Sequence, residues 1–68
     1  MPATFTWDDV DEIAAALYES YSETDPLNVS FPRLHQMITG LAGFHDNPDA
    51  TNEHMLERIQ LAWYELAS

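Results

Sequence analysis

The side chains in this chain with chemistry to offer are nearly all carboxylates. Asp8 and Glu12 stand four residues apart, as do Glu53 and Glu57, and a turn adds His45, Asp46 and Asp49. Carboxylates are hard oxygen ligands, suited to magnesium, calcium, manganese and iron. None of these pairs belongs to a twelve-residue EF-hand loop or to an HExxH helix. Read from spacing alone they form an open acidic patch, which binds cations weakly and without much choice, or simply a solvated face, the simpler reading. His35 lies between Leu34 and Gln36. On an amphipathic helix such a histidine is expected to be half-buried, with one ring nitrogen on a backbone group. There is no cysteine, so thiolate nucleophiles, thiolate metal sites and disulfides are all excluded. No serine occupies a glycine-flanked elbow, and Gly40 and Gly43 make no phosphate loop. The chain is therefore not expected to be an enzyme, and no tightly bound cofactor is expected.

Charge narrows the partners. Twelve acids face two bases, for a formal net charge of −10 over 68 residues. Arg33 and Arg58 can each pair locally, which leaves most acids without a partner. Such a field repels phosphate backbones and anionic membranes. The expected partner is a basic protein surface or a cation. Met1-Pro2-Ala3-Thr4-Phe5 carries no basic stretch and no long apolar run, so neither a secretory signal nor a membrane span is expected. The lack of cysteine fits a reducing, cytoplasmic setting.

Three amphipathic segments must position these groups in one small domain spanning residues 1–68. The first is expected from the Thr6-x-x-Asp9 pattern to about Tyr21, with Val10, Ile13, Ala14, Leu17 and Tyr21 as its apolar stripe. Asp8, Asp11, Glu12 and Glu19 then share its exposed face. Asp25-Pro26 opens a connection, in which Val29 and Phe31 are candidates for a short extended piece. The second helix begins near Ser30, takes Pro32 in its first turn, buries Leu34, Met37, Ile38 and Leu41, and stops at Gly43. The third is capped by Thr51 or Asn52. It carries Met55, Leu56, Ile59, Ala62, Trp63 and Leu66 on one face and Glu53, Glu57, Gln60 and Tyr64 on the other. Trp63 and Ile59 are expected at the centre of the core, against Ile13, Leu17, Leu34 and Ile38. Phe5 and Trp7 are expected to pack back on it. A mostly α, three-helix domain with this order could share a winged-helix-like topology, but its helices lack the arginines and lysines of a DNA reader.

From Trp7 to about Glu65 the chain resembles the IscX family, also called YfhJ, of the bacterial iron–sulfur cluster assembly system. The resemblance is carried by Trp7-Asp8, Glu12-Ile13, Leu17-Tyr18, Tyr21, Asp25-Pro26, Val29, Phe31, His35-Gln36, Leu41, Phe44, Asp46, Pro48, Asn52-Glu53, Leu56-Glu57, Ile59 and Trp63. It implies a winged-helix-like monomer and a non-enzymatic adaptor that docks on a cysteine desulfurase and competes there with bacterial frataxin. It also implies weak Fe2+ or Fe3+ binding on acidic residues. The family's acid-rich turn is thinned here, with Ala42, Gly43, His45 and Asn47 at acid positions. Metal contacts are accordingly expected first at Asp8, Glu12, Glu53 and Glu57, with Asp46 and Asp49 assisting. Docking is expected at Asp8, Asp11, Glu12, Glu19, Glu53 and Glu57. The alternatives from other classes are an acidic module that blocks a basic, nucleic-acid-binding protein, and a stand-alone cation buffer.

Overall fold

Two of the three α-helices begin where a polar side chain takes up a free backbone N–H group. A computed structural model describes residues 4–68, so Met1, Pro2 and Ala3, on which part of the signal-segment expectation rests, lie outside it. Helix α1 spans Val10–Ser20, α2 spans Phe31–Thr39 and α3 spans Glu53–Ala67, with a 3-10 turn at Pro26–Asn28. Ser30 Oγ accepts from the Arg33 N–H at the start of α2, and Asn52 Oδ1 accepts from Met55 N–H at 2.9 Å at the start of α3. Asn52 rather than Thr51 is thus the α3 cap. The Thr51 hydroxyl is buried with no hydrogen-bond partner among the described residues.

Helix α1 starts later than expected. The Thr6 N–H donates to Asp9 Oδ2 and the Asp9 N–H donates to the Thr6 carbonyl, both at 3.0 Å. That exchange closes a turn over residues 6–9 instead of a helical turn, and Asp9 keeps a non-helical backbone. Asp8 consequently sits on the turn ahead of α1, and the Asp8–Glu12 pair does not share a helix face. Helix α2 also stops before Gly43. Thr39 Oγ1 turns back to the carbonyls of His35 and Gln36, and Gly40 serves as the C-cap. Leu41 follows the helix and packs half-buried on the core.

The core is built from all three helices and from the lead. Ile13, Leu17, Leu34, Ile38, Ile59 and Trp63 are fully buried, with Ala14, Met37, Leu56 and Val29 beside them. Ile59 and Trp63 therefore occupy the centre assigned to them by periodicity, packed with the four residues named from α1 and α2. Burying side chains of this size contributes roughly 1.5–3 kcal/mol each relative to exposure. The most extensive helix contact is between α1 and α3. Helix α3, with 15 residues against 11, is about 6 Å longer than α1, at about 1.5 Å per residue. Its last turn outruns the core. Leu66, on the apolar side by spacing, remains 47% exposed.

Gln60 moves the other way. Its spacing puts it on the solvent side, yet its Nε2 donates to the carbonyls of Pro26, at 2.7 Å, and Val29, at 3.2 Å. It ties α3 to the 3-10 turn, where the Asp25 carboxylate accepts from the Leu27 N–H. The short extended piece expected at Val29 and Phe31 makes no strand: Val29 follows the 3-10 turn and Phe31 opens α2. The extended pairing seen instead is one parallel bridge between Phe5 and Phe44. The expectation of a mostly α, three-helix domain holds. Among the described residues there is no strand hairpin of the kind that makes a wing.

Candidate functional site

The acidic groups fall on two surfaces, and a third set is tied up in the hydrogen bonds of turns. Asp11, Glu12 and Glu19 are exposed along α1, and Asp8 is exposed on the turn before it. They form one acidic edge, with three of the four on a continuous helix. Val10, Ile13, Ala14 and Leu17 hold the opposite side of α1 against the core.

Glu53 and Glu57 are exposed on α3. Their stripe continues at four- and three-residue steps to Gln60 and Tyr64. Gln60 bonds the 3-10 turn, and Tyr64 lines a depression with Ser22–Pro26. Helix α1 meets α3 on another flank, where Asp11, Ala14 and Ala15 line a groove with Ala62, Glu65 and Leu66. The fold thus separates the Glu53–Glu57 strip from the α1 edge. The six residues expected to dock lie on two strips, as their spacing on two separate helices requires.

Asp46 is committed to structure. Its Oδ2 accepts from the Trp7 N–H at 3.1 Å and its Oδ1 accepts from the Asn47 N–H at 2.7 Å. The Trp7 indole N–H reaches the Asn47 carbonyl at 2.8 Å. His35 completes this corner. Its Nε2 lies 2.6 Å from the Pro48 carbonyl and its ring stacks on Trp7 at 5.8 Å between centroids, 24° from parallel. The expectation that one His35 nitrogen is satisfied by backbone is met. The role of Asp46 as an anchor was not legible, because its partner Trp7 is 39 positions away. Asp49 is exposed, and its own N–H donates to Asn47 Oδ1. His45 is exposed, and its N–H is used by the Phe5 carbonyl. The turn therefore supplies fewer free ligands than its composition suggests.

Among the described residues, no three histidine, aspartate or glutamate side chains converge on a point where they could hold one metal ion. Any cation held at Asp8 and Glu12, or at Glu53 and Glu57, would have at most a carboxylate pair and water. Among the described residues, no helix is long and apolar enough to cross a membrane. Glu65 is a residue the motif reading passed over. The signal available for it was its three-residue step from Ala62, which places it on the α1 side of α3.

Two comparisons bear on this arrangement. The chain is 46% identical over 59 residues to an uncharacterized protein of Pseudomonas aeruginosa, covering 87% of this chain and 89% of that one. A family model described as iron-sulphur cluster assembly matches residues 5–68. That match takes in the lead with Phe5 and Trp7, the acidic edge of α1, the anchored turn and all of α3. The chain accordingly belongs to the IscX, or YfhJ, family of iron–sulfur cluster assembly proteins.

Proposed function

We propose that the protein is a non-enzymatic adaptor of iron–sulfur cluster assembly that docks on a basic surface of a cysteine desulfurase. The acidic edge formed by Asp8, Asp11, Glu12 and Glu19 makes the contact. The observation that carries this reading is the exposure of Asp11, Glu12 and Glu19 along α1, with Asp8 exposed on the turn just ahead of it, in a domain with formal net charge −10. Such a field accelerates encounter with a positive surface and suppresses other partners. Family membership supplies the pathway, and the resemblance supplies the desulfurase and the competition with bacterial frataxin. Any iron binding accompanies docking and is weak, held by carboxylates of the α1 edge or by the Glu53–Glu57 pair in preference to the turn.

The test is affinity for a purified pyridoxal-phosphate cysteine desulfurase. A single rim charge is worth little, about 0–1 kcal/mol, so several must be reversed together. The triple variant Asp8→Lys, Glu12→Lys, Glu19→Lys should keep its helical content. It should lose about 30-fold in affinity, equivalent to about 2 kcal/mol. Retained binding by this variant, together with loss in a Glu53→Lys, Glu57→Lys pair, would move the interface to the α3 strip. Retention by both variants rejects electrostatic docking. Capture of a nucleic-acid-binding protein in place of the desulfurase would favour the blocking module.

A further inference from the structure

The groove between the start of α1 and the end of α3 has a composition that the charge argument does not explain. It encloses about 260 Å³. Its lining is Ala14, Ala15, Ala62 and Leu66, of which Ala14 is buried and Ala62 half-buried, together with one acidic residue from each helix, Asp11 and Glu65. Ala15 and Leu66 are exposed, as is Tyr18, one turn further along α1 from Ala15. Three alanines keep the floor low, so the space between the helices stays open where larger side chains would fill it. The groove exists because the side chains that face one another across α1 and α3 here are mostly alanines.

We propose that this groove seats one arginine or lysine side chain projecting from a partner protein. The aliphatic stem lies along the alanines and Leu66, and the cationic end sits between Asp11 and Glu65. Long basic side chains have this divided chemistry, an apolar stem and a charged head, and they bury the first while pairing the second. Charge complementarity selects the occupant. An anionic group is repelled by both rim carboxylates, and a second copy of this chain brings a further −10 to the contact. A purely apolar side chain would fill the floor but leave both acids desolvated without a partner. The proposal deepens the docking reading, since Asp11 belongs to both surfaces. It adds Ala15, Ala62, Glu65 and Leu66, which the acidic edge does not include.

The first experiment is an amide-shift NMR titration of the full chain with the tripeptide acetyl-Ala-Arg-Ala-amide. Its counterpart with norleucine in place of arginine is the control. Shifts should centre on Asp11, Ala15, Ala62 and Leu66 with the arginine peptide and be absent with norleucine. In Ala15→Leu, which fills the groove at an exposed position without changing charge, the same shifts should disappear. Shifts spread evenly over Asp8, Glu12, Glu19, Glu53 and Glu57, unaffected by Ala15→Leu, would overturn the proposal. The second experiment uses the desulfurase. Ala15→Leu should weaken binding about 10-fold and Glu65→Gln about 3-fold, with unchanged circular dichroism, in keeping with tight packing at an anchor and modest rim charges. Unchanged affinity in both, alongside a loss in the Asp8, Glu12, Glu19 reversal, removes the groove but leaves the docking reading standing. No desulfurase binding by the unmodified chain removes the docking reading, while the peptide titration still decides the groove. A concentration-dependent dimer in sedimentation that Ala15→Leu abolishes would assign the groove to a second copy and reject a basic side chain.

Discussion

Trp63 and Trp7 are buried almost equally, at 0% and 2% exposure, but they are held by different physics. Trp63 lies on a regular helix and packs among the aliphatic side chains of the core. Trp7 lies on a turn. It is fixed by its backbone N–H on Asp46, its indole N–H on Asn47, a stacked His35 and the edge of Phe44, whose ring lies 4.8 Å away. One tryptophan organises a core by area. The other fastens the lead of the chain to the turn at residues 44–48 by directed bonds. Aromatic burial of equal extent can therefore serve either to stabilise or to set position, and the neighbouring polar groups decide which.

The comparison can be broken most sharply at Trp63. Trp63→Ala should cost about 3–5 kcal/mol, which rivals the whole stability of a domain this size. The variant should be largely unfolded at 25 °C by circular dichroism. A cooperative melt close to the unmodified protein would show that Trp63 is peripheral and that the contrast is mistaken.

A smaller effect is expected where the polar anchor is cut. Asp46→Ala should cost about 1–2 kcal/mol, because it removes the acceptor for the Trp7 and Asn47 N–H groups. Amide exchange should quicken around Phe5–Trp7 and Phe44–Pro48 while α3 stays protected. The neighbouring change Asp49→Ala, at an exposed side chain, should leave both exchange and melting temperature unaltered. Equal effects at the two positions would mean that Asp46 is not an anchor.

Gln60 tests whether directed bonds matter elsewhere on α3. Gln60→Leu keeps the size of the side chain but loses its two donations to Pro26 and Val29. A loss of about 1 kcal/mol is expected, read as a lower denaturant midpoint. No loss would assign the junction with the 3-10 turn to packing alone.

The smallest effect concerns the charge field that both anchors share. Raising salt from low to physiological strength should lift the melting temperature by about 2–5 °C, as like charges are screened. The Asp46→Ala variant should gain as much as the unmodified chain, because its lost bond is short-ranged. A flat response would show that the −10 charge puts no strain on the fold.

Much of the fold was legible before any coordinates. Ile13, Leu17, Leu34, Ile38, Ile59 and Trp63 recur at helical steps, and that period alone selects the faces that meet. Asn52, Ser30 and Pro32 mark helix starts because capping is a local exchange between a side chain and the N–H groups just beyond it. The exposure of Asp11, Glu12, Glu19, Glu53 and Glu57 follows from the same period, as the reverse of each apolar stripe. Net charge and the missing cysteine are fixed by composition and need no structure.

The tertiary structure decided what depends on distant neighbours and on length. Asp46 reads as a spare turn carboxylate until Trp7, far away in sequence, is brought to it. Gln60 reads as solvent-facing until the 3-10 turn comes to rest against α3. Asp8 leaves the helix because Thr6 and Asp9 bond each other, one of two turns open to the same residues. Leu66 belongs to the apolar face by period and is left half-exposed because the α1 residues it meets across the groove, Ala14 and Ala15, are too small to cover it. Local rules assign a face to each residue. They do not say whether another element reaches that face, because reach is set by chain length and by contacts between residues far apart in sequence. Here that difference leaves an open groove beside the acidic edge.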